Sequence, residues 1–183
     1  MPSVDTSLVS ANHIAPAGAG ISFEPQRVQN WTLVLTPPQG MGVELTRVIQ
    51  LSLSTFTPPT RTVEVLTIAH GNEERKVASR VKYDAVTLAL RDYIDKDTYG
   101  VLWQWQERVH NSFTGAIGYA YQYKGTGELW LLHPNGMQRT RRFYLYGVWP
   151  SKISPSELNQ AASENLTVSV ELQVDYMTSG TVA

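Results

Sequence analysis

The sequence contains no cysteine. Disulfides and thiolate-bound zinc are therefore excluded. Charge is scarce as well: 17% of the 183 residues are charged, below the roughly one quarter of an ordinary soluble domain. The formal net charge is -1, so no strong attraction to nucleic acid or anionic membranes follows from it. No apolar run approaches the roughly 20 residues of a membrane-spanning helix. The opening stretch MPSVDTSLVSANHIAPAGAG lacks a basic start and a continuous apolar centre, which makes it a poor secretory signal. A soluble chain made in the cytoplasm is the expectation.

Catalytic patterns are missing too. His13, His70, His110 and His133 lie apart, and no two have metal-ligand spacing. No Gly-x-Ser-x-Gly nucleophile elbow occurs. The glycine clusters PAGAGIS and YKGTGE lack phosphate-cradling patterns, and Lys124 precedes its glycines instead of following them. Asp95 and Asp97 fit helix capping better than acid–base chemistry. A protein without catalysis, metal or cofactor is expected.

What the sequence does hold is Leu, Val, Thr, Ser and Tyr in alternating runs, which favours β-structure. Its length suits one domain with a real core. Residues 1 to about 28, rich in Ala, Ser, Pro and Gly, read as an arm that either frays or docks on a neighbour. The β domain then spans residues 29–183. Strands are expected in WTLVL, in VELTRVIQLSLS, in RTVEVLTIA and in YDAVTLALR. In the second of these, Arg47 sits awkwardly on the apolar face. HGNEERKVASR, residues 70–80, has no apolar face and reads as a long loop. DKDTYGVLWQWQERVHN reads as the one helix, capped by Asp95, with Tyr99, Leu102, Trp103, Gln106 and Val109 at helical spacing and Trp105 off that face.

The second half returns to strands, in FTGAIGYAYQY, ELWLL and MQRTRRFYLYGVW, with Asn135-Gly136 as a hairpin turn. NLTVSVELQVDYM alternates throughout: Leu166, Val168, Val170, Leu172, Val174 and Tyr176 against Thr167, Ser169, Glu171, Gln173 and Asp175. The expected fold is mainly β, a sandwich or barrel of about eight strands with one flanking α-helix. A strand with one wholly polar face has two readings. It is the wet outer face of an ordinary sandwich, or part of a sheet continued across subunits with its polar face lining a channel. Arg139, Arg141 and Arg142 beside Tyr144 and Tyr146 interleave basic and aromatic residues as single-stranded nucleic-acid binders do. The run is short and the net charge negative, so a solvated hairpin or a surface against a neighbouring subunit fits better. Tyr119, Tyr121, Tyr123, Trp103 and Trp105 would serve a carbohydrate-binding module, although such aromatics more often sit in a core or interface.

Between the last two strands lies YGVWPSKISPSELN. Trp149-Pro150 reads as a stop, because proline cannot donate to a ladder. Ser154-Pro155-Ser156-Glu157 reads as a capping box with proline at the first helical position. Trp149, Pro150, Ser154 and Glu157 together make a structural corner ahead of the final strand.

GVWPSKISPSELN, with Trp149, Pro150, Leu158 and Asn159, resembles the late corner of the tail tube protein family of contractile-tailed bacteriophages, which is related to type VI secretion and other injection-machine tubes. NLTVSVELQVDY resembles that family's last strand. VTLALRDYIDKDTYGVLWQWQERV resembles its strand–turn–helix segment at Leu88, Leu102 and Trp103, and HGNEERKVASR its long loop at Gly71 and Asn72. The likeness runs over residues 26 to 178 in element order.

It implies a structural subunit: homohexameric rings whose sheets join into one inner barrel, stacked into a hollow tube. Sheath, baseplate and tail terminator proteins are the implied partners, and DNA passes through without specific binding. The implied location is the phage virion, assembled in host cytoplasm. A lumen that conducts DNA should not neutralise phosphates. Glu44, Gln50, Ser52, Ser54 and Glu64 are the candidate lumen residues. His70, Gly71, Asn72, Glu73, Glu74, Arg75, Lys76 and Arg80 are the candidate contact between rings, their mixed charges suiting a head-to-tail pairing. The alternatives are the tube of an injection machine and, from another class, a monomeric carbohydrate-binding sandwich.

Overall fold

A computed structural model of the chain describes residues 26–160 and 163–180. The expected arm, residues 1–28, lies outside the described residues except for its last three positions.

The alternation of Leu33 and Leu35 builds β1 (Trp31–Thr36) with its leucines inward. The next segment departs from expectation. VELTRVIQLSLS is mostly a helix, α1 (Gly42–Ser52), followed by β2 (Leu53–Thr57). Leu45, Val48, Ile49 and Ser52 are buried, which is the i, i+3, i+4, i+7 stripe of a helix. Arg47, the misfit in a strand, points to solvent on the helix. The Thr46 hydroxyl donates to the Leu35 carbonyl at 2.8 Å and ties α1 to β1.

β3 (Arg61–His70) and β4 (Glu73–Tyr83) pair as a two-stranded ribbon. The long loop expected over 70–80 is therefore a hairpin. Its turn is Gly71-Asn72, with Gly71 at φ 65°, a conformation glycine takes at little cost. β5 (Val86–Arg91) follows β4 and pairs with β2. α2 (Thr98–Val109) is the expected helix, but its cap is Asp97 and not Asp95: the Asp97 carboxylate accepts from the Gly100 amide at 2.9 Å. Leu102 and Trp105 are its buried apolar residues, whereas Trp103 is 45% exposed. FTGAIGYAYQY is not a strand. It forms a loop pinned to the end of α2 by the His110–Ile117 bridge, then a single turn, α3 (Ala120–Tyr123).

β6 (Gly125–Leu132), β7 (Arg139–Pro155), β8 (Thr167–Gln173) and β9 (Tyr176–Gly180) complete the order β1-β6-β7-β8-β5-β2, with β9 also on β7. All pairs are antiparallel. β7 is the hinge of the architecture. Its first half joins β6 and β9 in one sheet layer, and its second half joins β8 in the other. Leu33, Leu35, Leu129 and Leu145 from the first layer meet Val86, Leu88, Leu90, Val168, Val170 and Leu172 from the second. α1 and α2 close the open side with Leu45, Ile49, Leu102 and Trp105. Each such side chain contributes about 1.5–3 kcal/mol by burial.

The corner lies in a different place from the one expected. β7 runs through Trp149-Pro150 without stopping, and Pro150 is the ladder partner of Leu172. The register shifts between Pro150 and Lys152, and such an irregularity is where a sheet tolerates proline. No helix follows among the described residues 156–160. Ser154 sits opposite Ser169, and the Ser156 amide donates to the Thr167 carbonyl at 2.8 Å. The ladder thus takes the groups a capping box would have used, and Glu157 is exposed. The bend comes earlier, at Gly147, φ 65°, where the β6–β7 register shifts by one residue. The long final strand bends beside it, between β8 and β9. The Asp175 amide there donates to the Tyr146 carbonyl at 2.9 Å, and the Asp175 carboxylate takes the Lys124 ammonium at 2.7 Å.

Trp105 spans core and chain corner. Its indole N–H donates to the Tyr123 carbonyl at 2.8 Å. Trp105→Phe keeps much of the volume and leaves that carbonyl without its donor, at an expected cost of about 1–3 kcal/mol. Chemical denaturation checks this; an unchanged midpoint would mean that water replaces the indole.

Candidate functional site

Three surfaces emerge from this fold. The first is the β3–β4 ribbon. Its base is continuous with β2 and β5, since the Asp84 amide donates to the Thr60 carbonyl at 3.1 Å. The end of its first strand, its turn and its second strand hold all the residues expected in a contact loop. His70 ends β3, Gly71 and Asn72 make the turn, and Glu73, Glu74, Arg75, Lys76 and Arg80 lie along β4. Cross-strand pairing places Leu66 opposite Val77 and Ile68 opposite Arg75 on one face. These apolar groups stay exposed, Leu66 at 54% and Ile68 at 48%. Ten residues of β3 at about 3.3 Å each extend some 33 Å.

The second surface is the outward face of the layer β7–β8–β5–β2. Lys152, Glu171, Thr87 and Thr57 form one cross-strand row, and Ser154, Ser169, Ala89 and Thr55 the next. These rows are polar except at Ala89, and the Lys152–Glu171 pair, at 3.6 Å, offsets opposite charges. This is the polar face read from NLTVSVELQVDYM.

The residues expected to line a lumen are placed otherwise. Glu44 and Gln50 are on α1, not on a sheet. Ser52 is 1% exposed and shares a hydrogen bond with the Thr98 hydroxyl at 3.1 Å, so it lies inside the subunit and faces no lumen. Glu64 is on the ribbon, paired with Lys82. Ser54 alone of the five is an exposed residue of β2. The mistaken strand assignment of α1 explains the misplacement, and the alternation in β8 was the signal that located the polar face.

The third surface is the outward face of the other layer. Trp130 is covered by two guanidinium groups, with Arg139 at 4.1 Å and Arg142 at 4.3 Å from its ring. Arg142 also lies over Tyr144 and bonds Glu128 at 2.7 Å. Tyr146 stacks on Tyr176 at 4.6 Å. These cation–π contacts make a packed, partly self-satisfied face. Arg141 alternates to the other side of β7.

The aromatics considered for carbohydrate do not form one platform. Trp105 is in the core. Tyr123 meets Trp149 edge-on at 5.7 Å, Trp103 leans on Tyr99, and only Tyr119 and Tyr121 stack in solvent. Close to them, the Ser112 hydroxyl and amide hold the Glu107 carboxyl below its usual range, fixing the loop after α2. Among the described residues no three His, Asp or Glu side chains gather closely enough to hold a metal ion. No described helix is long and apolar enough to cross a membrane.

A protein-family model described as T4-like virus tail tube protein gp19 matches residues 42–178. The fold is similar to the cryo-EM structure of the anti-feeding prophage tube terminating cap, at 12% identity and a TM-score of 0.67, covering 96% of this chain and 99% of that one. It is similar to a chain of the PVC sheath–tube complex of an extracellular contractile injection system, at 11% identity and TM-score 0.66, covering 87% and 94%. The SPP1 tail tube follows at 7% identity and TM-score 0.57, covering 86% and 80%. No curated protein sequence matches the chain.

Proposed function

The chain belongs to the T4-like virus tail tube protein family, and from that premise we propose that it forms six-membered rings which stack into the DNA conduit of a phage tail. That it is a structural tube subunit of a contractile, phage-like particle follows from the family. The ring, the lumen and the passage of DNA are our reading of the surfaces. Sheath, baseplate and terminator proteins are the expected partners outside the ring, with assembly in host cytoplasm.

The observation that carries the reading is the outward face of β7–β8–β5–β2, whose two cross-strand rows are polar at every position but Ala89. A layer of this kind, repeated six times and joined edge to edge, closes a barrel of about two dozen strands, wide enough for an aqueous bore. Its offset charges and hydroxyls give phosphates little to bind. Thr55, Thr87, Ser169 and Glu171 replace the α1 residues as the lumen set. The β3–β4 ribbon, with His70 to Lys76 toward its tip and Arg80 nearer its base, is the contact to the next ring.

Purified chain should form rings, and at rising concentration tubes, in negative-stain microscopy and sedimentation. A species that remains monomeric throughout, with and without a tail initiation complex, overturns the proposal. Nuclease-protected DNA inside isolated particles separates a phage tail from an injection machine with the same tube.

A further inference from the structure

Resting on the reading of the β3–β4 ribbon as the ring-to-ring contact, we infer that its acceptor is the β5–α2 turn and the end of α1 on a second copy of this chain. The fold places donor and acceptor at opposite ends of one strand pair. The ribbon leaves the body after Thr57 of β2 and returns before Val86 of β5. The turn, residues 92–97, follows Arg91 at the far end of β5, and α1 ends at Ser52, just before β2 begins. Two such ends can only meet between copies arranged head to tail, a heterologous contact that repeats without limit along a stack.

The chemistry of the two ends is complementary. The ribbon carries five cations, Arg61, Arg75, Lys76, Arg80 and Lys82, against three carboxylates, one of which, Glu64, is taken by Lys82. The turn carries Asp92, Asp95 and Asp97 against Lys96 alone. The Asp92 and Asp97 carboxylates are used by the Thr98 and Gly100 amides of α2. Asp95 has no ion-pair partner among the described residues and stands on the rim of a cavity of about 330 Å³ lined by Val48, Leu51, Tyr93 and Lys96. Beside it Ile94 is fully exposed and Leu51 nearly two-thirds so. The turn is rigid, because the Lys96 and Asp97 amides both donate to the Tyr93 carbonyl at 3.1 Å. A fixed apolar socket with an acidic rim fits the ribbon face that presents Leu66, Ile68 and Arg75. Apolar contact supplies the affinity, and the charges set direction and register.

The test is a charge exchange in the full chain, scored by the concentration at which tubes form, with melting temperature confirming the fold of each variant. Arg75→Glu and Asp95→Arg are each expected to raise that concentration at least tenfold. The two together are expected to bring it back within about threefold of the parent, since every interface then carries the reversed pair. If Arg75→Glu impairs assembly and Asp95→Arg does not, the acceptor is elsewhere and the ribbon remains a contact. If both impair and the combination does not recover, the turn is not the partner of the ribbon. If neither impairs, the ribbon reading fails together with this one.

Discussion

Gly147→Val is expected to lower stability by about 3 kcal/mol, the sum of two separable costs. Gly147 sits at φ 65°, a left-handed conformation that costs a β-branched residue roughly 1–3 kcal/mol. A side chain there also overlaps the Asp175 carboxylate, and displacing packed groups costs about 1–3 kcal/mol more. Asp175 cannot withdraw freely, because it holds Lys124 at 2.7 Å and its amide is bonded to Tyr146. The effect should reach assembly, since Gly147 directs β7 from one sheet layer into the other. Urea denaturation of the monomer measures it. A loss below about 0.5 kcal/mol, the range of an indifferent surface change, would show that the bend does not depend on this residue.

Leu66→Asp combined with Ile68→Asp is expected to do the reverse: leave the monomer nearly untouched and abolish tubes. Both side chains are about half exposed on a ribbon that packs little against the body, so the monomer should change by only about 0.5 kcal/mol. A two-stranded ribbon is marginal by itself in water. Its exposed Leu66, Ile68 and Val77 suit a surface that becomes covered. Burying an aliphatic side chain of this size contributes about 1.5–3 kcal/mol, and a tube multiplies that over every subunit of every ring. Carboxylates in their place would be left unpaired in the contact. Tubes of parental length and yield in the double variant would remove the ribbon from the interface.

Both results turn on features that differ in how plainly the chain displays them. β8 was legible because Thr167, Ser169 and Glu171 alternate with Val168, Val170 and Leu172, and only period two fits that order. α2 was legible as a helix, but its face was misjudged. Trp103 and Trp105 are both large and apolar, and the position of β7 against the helix selects the second. α1 was misread because Leu45, Ile49, Leu51 and Leu53 fit period two as well as Leu45, Val48, Ile49 and Ser52 fit a helix. Arg47 was the residue that separated the two patterns. The capping box of Ser154 and Glu157 was locally sound, and lost to a ladder with β8 that local rules do not include.

By itself the sequence determined the class of the fold, the polar face of β8, the helix after β5 and the likeness to tail tube proteins. Each rests on residues close together in the chain, where one period or one motif decides. The tertiary structure alone decided where the sheet bends, since Gly147 acquires its role from Asp175, 28 positions later. It alone turned a polar loop into a ribbon, because Leu66 and Ile68 in β3 supply the apolar half that residues 70–80 lack. It also removed Ser52 from the candidate lumen by pairing it with Thr98 in the interior. The physical reason is common to all three: backbone pairing and burial are settled between distant segments, and a local pattern prevails only where no distant partner offers those groups a better bond.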